Sequence, residues 1–188
     1  MTKNIMIVGV GGQGSLLASK MLGRLLLNQG YDVKVSEVHG MSQRGGSVVT
    51  YVRYGDKVYS PVIDEGEADA IISFEMLEAA RWMHYLKKGG KIIVSNQQMD
   101  PMPVITGAMT YPENLGEKMK AAGADVDVVD ALSMATEAGT AKAVNLVLMG
   151  RLSRYFDFPK EAWMEAIEAC VPPKFLEINK RAFEMGRA

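Results

Sequence analysis

Two glycine-rich segments decide the fold of this 188-residue chain. The first follows an apolar run and reads Asn-Ile-Met-Ile-Val-Gly-Val-Gly-Gly-Gln-Gly at residues 4–14. The second, His-Gly-Met-Ser-Gln-Arg-Gly-Gly, occupies residues 39–46, after a predicted helix at 15–29 and a predicted strand at 32–38. A strand that enters a glycine-rich turn and then a helix is typical of nucleotide-binding α/β proteins, although the first segment alone is a weak signal.

The chain departs from an ordinary Rossmann unit after the second strand, because no helix follows it. The second glycine-rich segment leads instead into a β-branched and aromatic strand at 47–54. We expect this strand to turn at Gly55-Asp56 into a short antiparallel strand at 57–59. The sheet is therefore predicted to be mixed, with a parallel start and an antiparallel hairpin.

Strands and helices then alternate, and the end of the chain is helical. The predicted elements are a strand at 68–74, a helix at 75–87 closed by Gly89-Gly90, a strand at 91–95, an irregular segment at 96–112, a helix at 114–122, a strand at 125–129, an apolar helix at 142–155, a helix that begins at Pro159 and an amphipathic helix at 174–185. The sequence thus predicts an α/β fold: a Rossmann-like, three-layer mixed sheet with an antiparallel hairpin insertion and a helical C-terminal layer. We expect one domain over residues 1–188.

Composition excludes several classes of function. The chain is 48% hydrophobic and 23% charged, with a net charge of −1, so no general affinity for nucleic acid or for a membrane surface is expected. No apolar run reaches the length of a membrane span, and no signal peptide is evident, so we expect a cytoplasmic protein. A single cysteine, Cys170, cannot supply the four thiolates of an iron–sulfur cluster. No group of residues has the spacing of a metal site.

The first glycine-rich segment suits an anion. Glycine allows the backbone N–H groups to approach a phosphate, and the helix that begins at Ser15 favours negative charge at its N-terminus. The alternative is that these glycines only allow close packing of strand and helix. Glu37 lies where an acidic residue would bind the ribose of NAD. The missing crossover helix and the extra pair Gly12-Gln13 weigh against a dinucleotide site.

The second segment offers one fixed cation and several hydrogen-bond donors. Arg44 could form paired bonds to a phosphate or carboxylate, and Gly45-Gly46 would expose neighbouring N–H groups. Alternatively, Arg44 pairs with an acidic residue such as Glu37. His39 could act as a base, but no catalytic residue is assigned. Asn145, in the apolar helix, could satisfy a loop backbone group or hold one glycine-rich segment in place.

Three stretches carry a family resemblance: residues 8–14, residues 36–48 and residues 142–150. They resemble the β subunits of indolepyruvate:ferredoxin oxidoreductases and, more broadly, the γ subunits and γ domains of the pyruvate and 2-oxoacid:ferredoxin oxidoreductases. The resemblance covers nearly the whole chain in length and order. Residues 39–46 favour the indolepyruvate branch.

The resemblance implies a subunit that carries no redox cofactor. In such enzymes a 2-oxoacid is oxidatively decarboxylated to an acyl-CoA, with thiamine diphosphate and [4Fe-4S] clusters on a large partner subunit and ferredoxin as the electron acceptor. The γ-type domain is expected to help admit coenzyme A. The residues expected to contact that co-substrate are Gly9, Gly11, Gly12, Gln13, Gly14, His39, Ser42, Arg44, Gly45 and Gly46.

Other functions stay open at this point. The chain could serve a pyruvate, branched-chain or 2-oxoglutarate enzyme of the same kind. It could also be a nucleotide- or CoA-binding regulatory module, or a stand-alone NAD-dependent dehydrogenase. A large cofactor-bearing partner, tight nucleotide binding without a partner, and catalysis by the purified chain with NAD would distinguish the three classes.

Overall fold

A computed structural model describes residues 2–40 and 45–188 of the chain. These residues form one sheet in the order β2-β3-β1-β4-β5-β6. The strands are β1 (Lys3–Val10), β2 (Asp32–His39), β3 (Ser47–Gly55), β4 (Ala68–Ser73), β5 (Leu86–Ser95) and β6 (Asp125–Val129). The helices are α1 (Ser15–Asn28), α2 (Met76–Trp82), α3 (Met102–Ile105), α4 (Leu115–Ala121), α5 (Ala131–Ala138), α6 (Val144–Ser153), α7 (Lys160–Cys170) and α8 (Leu176–Arg187).

The sheet is mixed, as predicted. Strands β1, β4, β5 and β6 run parallel to one another, whereas β3 pairs antiparallel with both β1 and β2. Strand β3 therefore separates β1 from β2, which becomes an edge strand. This insertion replaces the β1–β2 contact that an ordinary Rossmann unit would have.

The predicted hairpin at Gly55-Asp56 is wrong, because residues 57–59 form no strand. Strand β3 already has a partner on each edge up to its end, where Tyr54 faces Lys3 of β1 and Gly55 faces Asp32 of β2. No edge is left for a third strand. The amide of Val58 instead donates to the Asp32 carboxylate, at 2.9 Å. The antiparallel connection lies at residues 40–46, between β2 and β3.

The helix predicted at 75–87 is also too long. Helix α2 ends at Trp82, a 3-10 turn follows at Met83–Tyr85, and β5 already begins at Leu86. The glycines at 89 and 90 lie inside β5, beside an irregularity in its pairing with β4. A Cβ on Gly90 would lie 3.0 Å from the carbonyl oxygen of Ala68, so glycine serves close strand approach here and does not end a helix.

Helices cover both faces of the sheet, which confirms the three-layer α/β architecture. Alternate residues of β1 point to opposite faces: Ile5 and Ile7 pack with α1 and α5–α8, whereas Met6 and Val8 pack with α2 and α4. The C-terminal layer is helical, as predicted, and its apolar helix α6 is buried along almost its whole length. None of the helices in the described residues is long and apolar enough to cross a bilayer.

Helices α6 and α8 pack backbone against backbone. A Cβ added at Gly150 of α6 would lie 2.0 Å from the carbonyl oxygen of Phe183, and one at Gly186 of α8 would lie 2.0 Å from that of Val147. Neither helix has room for a methyl group at this crossing. The contact fixes the position of α6, whose first turn reaches the first glycine-rich segment.

Replacing Gly150 with Ala should therefore destabilise the protein strongly. Overpacking against a backbone carbonyl is expected to cost about 3 kcal/mol, which lowers the melting temperature by about 6–12 °C. The matched control is Gly23→Ala in α1, where the new Cβ would meet Val35 at 3.8 Å, an ordinary contact. That variant should be neutral or more stable by up to about 1 kcal/mol. Equal melting temperatures for the two variants would contradict the close crossing.

Candidate functional site

The two glycine-rich segments meet where β1 ends and β3 begins. Their antiparallel pairing brings Val10 opposite Ser47, and beyond the strands the amide of Gly11 donates to the carbonyl of Gly46 at 2.9 Å. The turn that precedes α1 therefore touches the end of the second segment. The sequence predicted both turns, and the structure brings them together.

Gln13 closes the first turn with its own side chain. Its Oε1 accepts a hydrogen bond from the amide of Val10 at 2.7 Å, and its Nε2 donates to the carbonyl of Phe74 at 3.2 Å. The side chain thus joins the turn to the residue that follows β4. That both ends of the amide are occupied gives Gln13 a structural role; direct contact with a ligand stays a prediction.

Glycine is required at two positions of this turn. A Cβ on Gly9 would lie 2.8 Å from Oε1 of Gln13 and 3.0 Å from Cβ of Phe74. Gly14 has a φ of +93°, and a Cβ there would lie 3.0 Å from Nδ2 of Asn145. The first position admits the Gln13 side chain, and the second allows the left-handed turn into α1.

Asn145 connects α6 to this turn. The side chain is only 3% exposed, its Nδ2 lies 3.4 Å from the carbonyl oxygen of Gly14, and its Oδ1 accepts from the amide of Leu146 at 3.0 Å. The two predicted roles coincide, because satisfying a loop carbonyl is the contact that holds the glycine-rich turn. Helix α6 of the C-terminal layer thus holds the first glycine-rich turn in place.

A cleft of about 420 Å³ opens between the first turn, the N-terminus of α1 and the end of β2. It is lined by Gly11, Gly12, Gly14, Ser15, Leu16, Glu37, His39 and Val48. Helix α1 has no side-chain cap and no acidic residue in its first turn. Its first N–H groups therefore face the cleft without a carboxylate of their own, which favours a bound anion.

Glu37 is the acidic group of the cleft. It lies on β2, so strand β3 separates it from β1, and an acidic residue of an ordinary dinucleotide site would lie one strand nearer. Its carboxylate accepts from Oγ1 of Thr50 at 3.3 Å. His39 is exposed at the end of β2, with Nδ1 3.2 Å from the carbonyl oxygen of Gly40. The displaced acid weakens the case for an NAD ribose contact.

A buried network that the sequence pattern does not predict supports the residue that follows the second segment. Glu78 of α2 is 3% exposed and accepts from Oγ of Ser47 at 2.5 Å and from Nη1 of Arg81 at 3.0 Å. Nε1 of Trp82 lies 3.4 Å from the same hydroxyl. A glutamate in a short helix is usually exposed, so only the fold reveals that Glu78 anchors Ser47, the residue after Gly46.

Part of the predicted site lies outside the described residues. Ser42 and Arg44 belong to residues 41–44, so their predicted contacts stay predictions. Gly45 is described and has a φ of +80°, and Gly46 accepts the bond from Gly11. Among residues 2–40 and 45–188, no group of three or more His, Cys, Asp or Glu side chains could hold a metal ion.

Comparison with known proteins relates this site to one family. Residues 4–188 match the family model described as "Pyruvate ferredoxin/flavodoxin oxidoreductase". The indolepyruvate oxidoreductase subunit IorB of Thermococcus kodakarensis is 47% identical over 189 residues, which cover 97% of this chain and 93% of that protein.

Solved structures share the fold at lower sequence identity. The pyruvate oxidoreductase subunit PORC of Thermotoga maritima has a TM-score of 0.73 and 23% identity, over 98% of this chain and 94% of that one. A chain of the 2-oxoglutarate:ferredoxin oxidoreductase of Magnetococcus marinus, with 2-oxoglutarate, coenzyme A and succinyl-CoA bound, has a TM-score of 0.74 and 18% identity. The match covers 99% of this chain but only 30% of that one.

The structural role of Gln13 can be tested with Gln13→Glu. The variant keeps the oxygen that accepts from Val10 but turns a second oxygen toward the carbonyl of Phe74, where no hydrogen bond forms. The two oxygens repel each other and neither gains a hydrogen bond. The free energy of unfolding, measured by urea denaturation, should therefore fall by about 1–3 kcal/mol. Gln98→Glu, at an exposed position, is the control and should change it by less than about 0.5 kcal/mol. Equal effects would show that Gln13 does not close the turn.

Proposed function

Because the chain belongs to the pyruvate ferredoxin/flavodoxin oxidoreductase family, we propose that it is the small subunit of an indolepyruvate-type 2-oxoacid:ferredoxin oxidoreductase. The observation that carries the proposal is the 47% identity to a protein named as an indolepyruvate oxidoreductase subunit, over nearly the full length of both chains. Like its homologues, the chain is a subunit of an oxidoreductase and is not catalytic alone. The whole chain would act as one γ-type domain.

The residues of this chain do not supply the four thiolate ligands of an iron–sulfur cluster. Cys170 is its single cysteine, and the described residues contain no cluster of metal ligands. In the proposed complex a large partner subunit supplies thiamine diphosphate and [4Fe-4S] clusters. Together they convert a 2-oxoacid and coenzyme A to an acyl-CoA and CO₂, and two electrons pass to ferredoxin. The small subunit would act by binding and positioning.

The cleft at the N-terminus of α1 is the proposed contact for coenzyme A. Its support is the uncapped first turn of α1 beside Gly12 and Gly14, which offers backbone N–H groups to a phosphate. A structural neighbour is described with coenzyme A bound, which is consistent with this assignment. In this proposal Arg44 supplies the fixed positive charge that attracts the phosphate. The carboxylate of Glu37, on β2, repels it.

Two alternatives remain distinct proposals. The same subunit could serve an enzyme for pyruvate, branched-chain oxoacids or 2-oxoglutarate, since the pocket for the oxoacid side chain would lie mostly on the partner. A nucleotide- or CoA-binding regulatory module would bind its ligand without any partner. The displaced position of Glu37 and the bond from Gly11 to Gly46 disfavour the dehydrogenase alternative, because they alter the turn on which NAD would lie.

The purified chain should fold without colour and show no oxidation of any 2-oxoacid. Viologen or ferredoxin reduction should appear only after mixing with the large cofactor subunit, and indolepyruvate should give the highest kcat/KM in a series with pyruvate, 2-oxoisovalerate and 2-oxoglutarate. Activity of the isolated chain with NAD would overturn the proposal. A preference for pyruvate would support the family assignment but not the indolepyruvate branch.

Replacing Arg44 with Ala should weaken use of coenzyme A in the reconstituted complex. A charge-assisted bond to phosphate contributes about 1.5–3 kcal/mol, so the apparent KM for coenzyme A should rise roughly 10–150-fold. Decarboxylation measured without coenzyme A should change little. If Arg44 only pairs with an exposed acid, the effect should stay below about 1 kcal/mol.

Replacing Glu37 with Gln should have the opposite sign. Removal of an exposed negative charge beside a phosphate should lower the apparent KM for coenzyme A by up to about fivefold, equivalent to about 1 kcal/mol. The matched control is Glu137→Gln, an exposed carboxylate in α5 that does not line the cleft. If Glu37 instead accepts bonds from a ribose, as in an NAD site, the same change should weaken cofactor binding.

A further inference from the structure

The segment between β5 and α4 carries an exposed apolar surface. Residues 97–111, called here the apolar excursion, contain one charged side chain, Asp100. Helix α3 lies within them and has no buried residue. Met102, Ile105 and Met109 are 66%, 66% and 65% exposed, respectively. Large apolar side chains grouped in this way at a surface mark contact with another molecule more often than isolated ones do.

The excursion is held in a defined conformation by its own hydrogen bonds. The amides of Thr106 and Met109 donate to the carbonyls of Met102 and Pro103, both at 2.9 Å. At its start, the carbonyl of Gln97 accepts from the amide that begins α2, at 3.0 Å. These bonds order a segment whose apolar side chains make no compensating core.

A buried carboxylate fastens both ends of the excursion. Glu75 is 1% exposed and accepts from the amides of Glu78 at 2.8 Å and Met99 at 3.1 Å, and from the hydroxyl of Tyr111. The Tyr111 hydroxyl in turn accepts from the amide of Leu77 at 3.0 Å. Burial and the bond to Glu75 raise the pKa of Tyr111 above its usual range, so its hydroxyl keeps its proton even in alkaline solution. A carboxylate is costly to bury, and here three donors offset that cost.

The excursion borders the proposed coenzyme A site. Gln97 and Met99 share a depression of about 410 Å³ with Gly12, Gly14 and Lys142. The apolar surface and the first glycine-rich turn therefore lie on the same edge of the sheet, where the parallel strands end. A molecule that covers the start of the excursion at Gln97 and Met99 also reaches the first glycine-rich turn.

We propose that the apolar excursion is the docking surface for the large cofactor-bearing subunit. The inference rests on the proposed function, since a small subunit that offers coenzyme A to a partner's active site must turn this edge of its sheet toward that partner. The near absence of charge matches the core of a protein interface, and methionine adapts to an opposing surface. The Glu75–Tyr111 pair holds the surface ready before the subunits meet, which reduces the ordering cost of association.

The test is co-purification and titration of the small subunit with the large subunit from the same organism. Met102→Asp and Ile105→Asp should each weaken the complex roughly 10–100-fold, the range for interface anchors, and 0.5 M salt should have little effect on the wild-type affinity. Leu27→Asp is the matched control: Leu27 is 56% exposed, but it lies near the end of α1 away from the excursion. Melting temperatures should confirm that all three variants fold.

The pair that holds the excursion has its own test. Tyr111→Phe removes the hydroxyl bonded to Glu75, so hydrogen exchange at the Met99 amide should accelerate and partner affinity should fall roughly 3–10-fold. Tyr59→Phe, at a side chain that is 89% exposed, should change neither quantity. Unchanged binding by Met102→Asp and Ile105→Asp, beside a wild-type chain that binds, overturns this inference and leaves the proposed function intact.

Two further outcomes also decide the matter. If the wild-type chain binds no large subunit, both the docking surface and the proposed function are overturned. If sedimentation shows that the isolated chain self-associates and that Ile105→Asp abolishes only this association, the surface joins two copies of the chain and the proposed partner is wrong.

Discussion

The placement of β3 between β1 and β2 is the constraint on which the rest of the structure depends. Antiparallel strands pair over a fixed register, so once Lys3 faces Tyr54 the ends at Val10 and Ser47 must also meet. The hydrogen bond from Gly11 to Gly46 then follows from the strand register, without any further specific interaction. An ordinary crossover would instead place the second strand directly beside the first.

The inserted strand also changes which atoms complete the first turn. In a dinucleotide site the turn is formed by glycine backbone alone, with its amides open to pyrophosphate. Here the side chain of Gln13 accepts from the amide of Val10, and the carbonyl of Gly46, the residue before β3, accepts from the amide of Gly11. The open donors shift toward the first turn of α1. We therefore expect an anion at the N-terminus of α1, in an arrangement that differs from an ordinary dinucleotide turn.

Much of the architecture could be predicted from the sequence because local patterns agree with it. Strand β6 forms at the predicted residues, and α7 begins at Lys160, one residue after the Pro159 at which the sequence predicts it to begin. Both wrong predictions assign a glycine the wrong role: a hairpin turn at Gly55 and the end of a helix at Gly90. Gly55 ends a strand whose edges are both occupied, and Gly90 allows close approach inside a strand. Only the pairing of distant strands distinguishes these roles.

Within the site, the sequence identified the turns but not their supports. The glycines of residues 9–14 predict a tight turn, because glycine adopts positive φ angles more easily than other residues. Glu78 and Glu75 look like ordinary helix-surface acids, yet each is buried against hydroxyl and amide donors supplied from distant segments. These contacts join residues 24–36 positions apart, and no periodic pattern in the sequence reveals them. Asn145 was identified because an amide in an otherwise apolar helix is an exception to its pattern.

The backbone crossing of α6 and α8 has a consequence for the genetics of the site. Since Gly150 and Gly186 leave no side-chain layer between the helices, we expect a displacement of α8 to displace α6 as well. Asn145 transmits that movement to the turn at Gly14, more than 130 residues earlier in the chain. Substitutions in α8 can thus change the position of the turn without contacting a ligand. Second-site suppressors of mutations in the first glycine-rich segment should accumulate along α8, far from the cleft they restore.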